Sequence, residues 1–524
     1  MGICDIPDLR LIVSDSGRVV PSDRIAKKFL SDGLERNAGR AEALVFPVST
    51  AEVSGLLSYA WERDIPVTAR SAGTNLTGAT VPLAGGMVLD FSRMNRLLEI
   101  DRDTLTATAE PGMILQDFQN AVEAQGLFYP PDPGEKTAAL GGNISTNAGG
   151  MRAVKYGVTR DYVRGLEVVK ANGTVLNLGG KTVKDASGLS LKNLIIGSEG
   201  TLALITKCVL RLLPLPKENA GAAAAFPSLD AGIAAVNKIL MTATDPTAIE
   251  FLERGVVEMG EAYTGLTFPL PGGAAYILLS YHGESKADIL DRLRIAEEAA
   301  RSAGAEDFLI IDDSETFNRV WQIRGSLVKA VEAVSEQEPV DIVVPINRIG
   351  DFIAHVHELE AESGIKMTAF GHAGDGNVHL CVMRENREAR AWERELNTVM
   401  AKMCRAITGM GGLVSGEHGI GVSKQPYFLE NTPAENLALM RQIKAVFDPK
   451  NILNPGKSYQ ALCGGCPRSN NFKLCGRLVI PAYAFGGSAY KASVIDQIIK
   501  MGRRFSDREP FLAHRKIHPV FGAD

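Results

Sequence analysis

Apolar positions along this chain fall into two patterned stretches with different rhythms. The first begins at Leu44-Val45-Phe46-Pro47. Ser49-x-x-Glu52 then forms a capping box ahead of Val53, Leu56, Leu57 and Ala60, whose spacing predicts an amphipathic helix. Short β-prone runs at 65–69, 87–91 and 104–109 predict strands. Ile114, Leu115, Phe118, Ala121 and Val122 predict a helix that stops at Gly126. Further strands are expected at 166–170, 175–178, 194–196 and 202–213. Before this stretch, residues 1–40 are polar and mixed, with one short helix expected around 25–30.

The rhythm changes after Leu213-Pro214-Leu215-Pro216-Lys217 and the Ala/Gly-rich run 219–225, which together mark a boundary. Beyond it, helical patterns at 229–241, 286–303, 349–362 and 389–409 interleave with strands at 275–281, 308–311, 340–344, 367–370 and 378–382. That alternation predicts an α+β domain with helices packed on an antiparallel sheet. The expected layout is a segment 1–40, a domain 41–216, a second domain 217–445, a return segment 446–460 ending in Asn454-Pro455-Gly456-Lys457, and a tail 461–524.

Two stretches cannot pack a core. Arg70-Ser71-Ala72-Gly73-Thr74-Asn75-Leu76-Thr77-Gly78 follows a strand. Gly141-Gly142-Asn143-Ile144-Ser145-Thr146-Asn147-Ala148-Gly149-Gly150 follows the proline turn Tyr129-Pro130-Pro131-Asp132-Pro133-Gly134. Both read as loops whose glycines let backbone N–H groups approach an anion, while hydroxyls and amides line it. Together they point to one large phosphate-bearing ligand. A Rossmann site is unsupported, because no Gly-x-Gly-x-x-Gly joins a strand to a helix. Gly180-Lys181-Thr182 resembles the end of a P-loop, but its first glycine is replaced by Val175.

The strongest candidate chemistry lies at Phe370-Gly371-His372-Ala373-Gly374-Asp375-Gly376-Asn377-Val378-His379-Leu380. Glycines with Asp375 and Asn377 between two β-prone runs predict a hairpin, which places His372 and His379 on facing strands. Two converging imidazoles are half a metal site, and Glu417, in Ser415-Gly416-Glu417-His418-Gly419-Ile420-Gly421, offers a third ligand. The structural alternative is two turns whose histidines cap backbone groups. Arg324 lies on a predicted helix, where an arginine is commonly solvated or ion-paired; it is kept as a substrate-binding candidate.

The remaining composition mainly excludes. At 524 residues the chain exceeds one core. A net charge of −5 leaves no nucleic-acid footprint. Seven scattered cysteines argue for reduced thiols, residues 1–11 hold no apolar leader, and no run of about 18 apolar residues occurs. A soluble, cytoplasmic protein is expected, with peripheral membrane attachment through a partner left open. In the tail, Cys463, Cys466 and Cys475 have the look of a weak metal knuckle, and 490–504 has one apolar helical side.

Taken in order over about residues 40–460, these segments resemble the FAD-linked 2-hydroxyacid dehydrogenases. These form the D-lactate dehydrogenase / glycolate oxidase catalytic-subunit branch of the vanillyl-alcohol oxidase / p-cresol methylhydroxylase flavoprotein superfamily. The resemblance rests on the two Gly-rich stretches, Tyr129 to Pro133, Ile196-Gly197-Ser198-Glu199-Gly200-Thr201, the His372/His379 hairpin, the Glu417-His418 turn and Asn454-Pro455-Gly456. It implies an α+β fold with a two-part FAD-binding domain and an α+β cap. It also implies FAD held by residues 70–75, Thr77, Gly78, Pro131, Asp132, 141–143, 145–147, Gly149, Gly150, Glu199, Gly200, Ile205 and Asn454. Thr74 stands where covalent relatives carry a histidine, so non-covalent FAD is expected. The resemblance further implies oxidation of a small 2-hydroxy acid, D-lactate first, with glycolate or D-2-hydroxyglutarate next. Arg324 would hold the carboxylate bidentately and His418 would act as base. His372, His379 and Glu417 would bind Zn²⁺, Fe²⁺ or Mn²⁺. Electrons would pass to an electron-transferring flavoprotein, an iron–sulfur subunit or a quinone-linked chain, within an oligomer or complex. The alternatives are a non-redox transferase like alkylglycerone-phosphate synthase and a non-catalytic FAD scaffold subunit.

Overall fold

The structure, a computed structural model, describes residues 4–35 and 38–460. Three larger sheets organise them, beside a two-stranded pair of Leu127–Phe128 and Leu213–Pro214. The first has four strands in the order Val19–Pro21, Ala43–Val45, Met87–Asp90, Val67–Arg70; the last three run parallel. The helix Thr50–Glu62 covers it, capped by Ser49 Oγ accepting the Glu52 N–H at 3.3 Å, and buries Val53, Leu56, Leu57 and Ala60. The second is antiparallel, in the order Leu97–Asp101, Thr106–Ala109, Ala203–Arg211, Val163–Lys170, Val175–Gly179.

The third sheet is antiparallel and has seven strands. Their order is Asp307–Ile311, Glu218–Phe226, Ala275–Gly283, Ala248–Glu253, Met367–His372, Asn377–Met383, Gln337–Val343. Helices Leu229–Leu240, Lys286–Ser302, Ile349–Ser363 and Ala389–Gly409 share a core with one face. Arg254–Thr264 and Ser314–Glu332 share a core with the other. Side chains alternate between faces along each strand, so Glu250, His372, His379 and Asp341 all fall on the Ser314–Glu332 side.

Several expectations are corrected. The run 219–225, taken as part of the boundary, lies inside the strand Glu218–Phe226. Its alanines leave room for helices on both faces. The strand Ala248–Glu253 and the helix Arg254–Thr264 were not anticipated, because a strand buried on both faces shows no alternation. Residues 192–195 form a helical turn where a strand was expected at 194–196. Near the start, Ile6–Ile12 is an unexpected helix, and only the 3₁₀ turn Lys27–Phe29 forms within 25–30.

The Gly-rich stretch 141–150 is not a loop throughout: Leu140–Thr146 is helical. A Cβ at Gly141 would press on Pro111, so glycine there permits close approach rather than flexibility. The return segment adds to the first sheet. Val67 donates to Ile452 O at 2.7 Å and Asn454 donates to Val67 O at 2.8 Å, closing the chain against the strand that feeds residues 70–78. The expectations for Cys463, Cys466, Cys475 and 490–504 fall outside the described residues.

Candidate active site

The two Gly-rich stretches face each other across a cleft of about 1190 Å³, open mouth included. Of the predicted cofactor residues, Arg70 to Asn75, Gly141, Gly142, Asn143, Ser145, Thr146, Glu199, Gly200 and Ile205 line it. Thr77, Gly78, Pro131, Asp132, Asn147, Gly149, Gly150 and Asn454 do not; several of them brace the residues that do, and Gly149 lies against Glu417. Asp132, for instance, is spent on Lys136 (2.7 Å) and Arg152 (3.3 Å). Gly150 has φ +128°, and a Cβ there would run into the Asp132 carbonyl, which locks the two segments together. Asn454 Nδ2 donates to Ala79 O (3.0 Å) and Glu199 O (2.8 Å). Thr80 lines the cleft with its hydroxyl buried and unpartnered, a polar group left for a ligand. The size of the cleft and this orphan hydroxyl fit FAD.

Glu417 and His418 reach the same cleft from the capping sheet. Behind them lies a row of polar side chains set by strand register. Glu250 pairs with His372, and Asp341 pairs with His379. His372 Nε2 and His379 Nε2 are 3.2 Å apart. Glu417 Oε1 lies 3.8 Å from the first, 3.5 Å from the second and 4.0 Å from His418 Nε2. The His418 ring stacks on His379 at 5.8 Å and 17°. Sequence spacing thus brought His372, His379, Glu417 and His418 into one cluster.

Asp341, which sequence reading passed over, holds the turn that carries two of them. Its fully buried carboxylate accepts the Ser415 hydroxyl (2.9 Å) and the N–H groups of Gly416 (3.2 Å), Glu417 (3.1 Å) and His418 (2.9 Å). It also pairs with Lys424 Nζ at 2.9 Å. On the cleft side, Glu199 accepts the N–H groups of Ile420 (3.0 Å) and Gly421 (2.8 Å). The only outward signal of Asp341 is one acid inside an apolar run, and the same holds for Glu250. Both are carboxylates facing cations under a low-dielectric sheet.

Arg324 is 8% exposed and not solvated. Its Nε (2.7 Å) and Nη2 (2.6 Å) both meet Glu250 Oε2, and its guanidinium sits 5.1 Å over Phe370. That occupies one edge of the fork. The Nη1–Nη2 end stays clear of Glu250 and still offers the paired N–H groups that the expected two-pronged grip on a carboxylate needs.

Burial opposes charge at each of these carboxyls, yet the neighbours win. His372 and Arg324 hold Glu250 below the usual range, and Lys424, His418 and His379 hold Asp341 well below it. Glu417 is also lowered, burial being outweighed by His372 and His379. Against burial, Glu250 and Glu417 raise His372 well above the usual imidazole range. Burial and this charged neighbour push His379 down to about 3, which keeps its imidazole neutral.

Asp341, His379, Glu417 and His418 offer ligand atoms within 4.8 Å of one another. Asp341 is a poor ligand nonetheless, because six donors already occupy its oxygens, Asn377 Nδ2 at 2.8 Å among them. His372 Nε2, aimed at His379 Nε2, is the better third atom. The set His372, His379 and Glu417 could hold a divalent cation.

Two sheet systems gripping a cleft under an antiparallel cap define an FAD-binding fold. Residues 41–179 match the FAD binding domain and residues 215–458 match the C-terminal domain of FAD linked oxidases. The chain belongs to the FAD-linked D-lactate dehydrogenase / glycolate oxidase subunit family. It is 40% identical over 447 residues to a D-lactate dehydrogenase of Anaerostipes hadrus, covering 84% of this chain and 94% of that protein. It is 36% identical over 451 residues to glycolate oxidase subunit GlcD of Bacillus subtilis (strain 168), covering 85% and 93%. Among solved structures, p-cresol methylhydroxylase with substrate bound shares the fold. The TM-score is 0.70 at 18% identity, covering 87% of this chain and 96% of that one.

Proposed function

We propose that this chain oxidises a small 2-hydroxy acid, D-lactate first, with glycolate or D-2-hydroxyglutarate next, and passes the electrons to a partner. The observation that carries this reading is the meeting of His372 and His379 with Glu417 and His418, the last two lining the cleft, and with Arg324 on the same side of the sheet. FAD, held without a covalent bond by the lining segments 70–75 and 141–146, supplies the hydride acceptor when bound. A Zn²⁺, Fe²⁺ or Mn²⁺ ion on His372, His379 and Glu417 would supply Lewis acidity.

The chain's own side chains do the rest. The Nη1–Nη2 end of Arg324 holds the substrate carboxylate through paired charge-assisted hydrogen bonds. His418, turned toward the cleft and steadied against His379, takes the hydroxyl proton on its imidazole; such a base contributes roughly 10²–10⁴-fold. The cap excludes water: His372 is 4% exposed.

The acceptor would be an electron-transferring flavoprotein, an iron–sulfur subunit or a quinone-linked chain. Among the described residues, no helix is long and apolar enough to cross a membrane. Cys4, Cys208, Cys381 and Cys404 are free and buried, which suits a reducing, cytoplasmic compartment.

Mixing the FAD-loaded protein anaerobically with each 2-hydroxy acid tests the proposal. D-lactate should bleach the flavin's visible band and yield the 2-oxo acid. No bleaching with any of the three acids rejects the reading.

A further inference from the structure

The polar row on the capping sheet starts one strand before the histidines. Glu250 is 0% exposed, and its strand neighbours Ile249, Phe251 and Leu252 all belong to hydrophobic cores. A carboxylate is costly in such a place unless its lone pairs are fully engaged. Here each oxygen serves a different side chain. Oε1 accepts from His372 Nδ1 at 2.7 Å, and Oε2 accepts from Arg324 Nε at 2.7 Å and Nη2 at 2.6 Å.

Both contacts have a directional consequence. A ring nitrogen facing a carboxylate carries the proton, so the lone pair of a neutral His372 is at Nε2. That atom points at His379 Nε2 and Glu417. The grip on Nε and Nη2, with the guanidinium 5.1 Å over the Phe370 ring, fixes the group's orientation and leaves its Nη1–Nη2 end clear of Glu250. An ion pair that only filled the core would be served as well by matched apolar side chains. A carboxylate is required where two cationic or N–H-bearing groups must be aimed from one point.

We infer that Glu250 is a positioning residue that serves both halves of the site at once. It sets the tautomer of His372 toward a divalent cation and aims the free end of Arg324 at the substrate carboxylate. The inference rests on the reading given under Proposed function and adds to it a residue which that reading does not use.

Glu250→Gln is the informative variant. An amide has one acceptor oxygen, so its NH₂ group must confront a donor, either His372 Nδ1–H or the Arg324 edge. Two quantities should therefore move together. Zn²⁺ affinity of the metal-stripped, FAD-loaded protein, titrated in competition with a chelating dye and without turnover, should fall about 10–100-fold. At saturating Zn²⁺, KM for the 2-hydroxy acid should rise by about tenfold or more. His372→Ala should weaken Zn²⁺ binding with the smaller effect on KM, Arg324→Lys should do the reverse, and Glu250→Asp should partly rescue both.

A Glu250→Gln protein whose Zn²⁺ affinity and KM both stay within about twofold of wild type overturns the inference, whatever happens to its melting temperature. Movement of only one quantity overturns the coupling. If Glu250→Gln does not fold, the same two titrations on Glu250→Asp decide by the same criteria. A wild-type protein that binds no divalent cation sinks the functional reading along with this one. Tight wild-type binding with an indifferent Glu250 sinks this one alone.

Discussion

Asp341 accepts the backbone N–H of His418 at 2.9 Å while its side chain lies 3.9 Å from the imidazole of the same residue. One carboxylate thus fixes both the path of the 415–421 turn and the charge beneath its histidine. Its cationic partner, Lys424 Nζ at 2.9 Å, is buried as well.

Asp341→Asn should therefore have two separable effects. Stranding Lys424 should cost about 3–5 kcal/mol of stability, read by urea unfolding. Loosening the turn should lower kcat independently. Replacing the pair together, Asp341→Asn with Lys424→Met, should recover much of the stability and none of the turnover. Recovery of both would show that the turn does not need its anchor.

His418→Asn removes the proposed base and keeps a polar side chain of similar reach. Substrate-driven flavin reduction should slow roughly 10²–10⁴-fold in stopped flow, with FAD content unchanged. Loss of FAD instead would assign His418 to cofactor retention.

Chelation probes the cation separately. Dialysis against a strong chelator should abolish turnover and leave FAD in place, since residues 70–75 and 141–146 line the cleft independently of His372 and His379. Zn²⁺ or Mn²⁺ added back should restore turnover. Full activity in a protein that analysis shows to be metal-free removes the ion from the mechanism.

What the sequence revealed of this site follows from contact distance along the chain. His372 and His379 were legible because a Gly-rich hairpin makes facing partners of residues on either side of its tip. Glu417 and His418 stood out by composition. Glu250 and Asp341 were hidden: Glu250 meets His372 across 122 positions, and Asp341 meets His418 across 77. Strand register over such separations is decided by packing and not by local pattern. Most of the residues expected to hold the cofactor line the cleft, but the Gly-rich stretches were over-read as loops. Gly150 and Asp132 brace the wall, and part of 141–150 is helix, because glycine signals close approach as readily as a loop.

Outside the site, His282 gives the fold a pH dependence. It lies against Phe128 at 5.5 Å and takes a 3.0 Å hydrogen bond with the Tyr156 hydroxyl. Burial, then Arg152, Lys155 and Arg292, push its imidazole down from 6.5 to about 3. As pH falls below 6.5 the unfolded chain takes up a proton here, and the folded chain does not until about pH 3. Protons bound preferentially by the unfolded state lower stability, so this contribution is intact above 6.5 and drains away on acidification. His282→Gln, which keeps an acceptor for Tyr156, should match wild type in thermal melts near neutrality. Below about pH 5 it should melt a few degrees higher than wild type. Parallel melting curves for the two proteins across that range would show that His282 does not titrate between the folded and unfolded states.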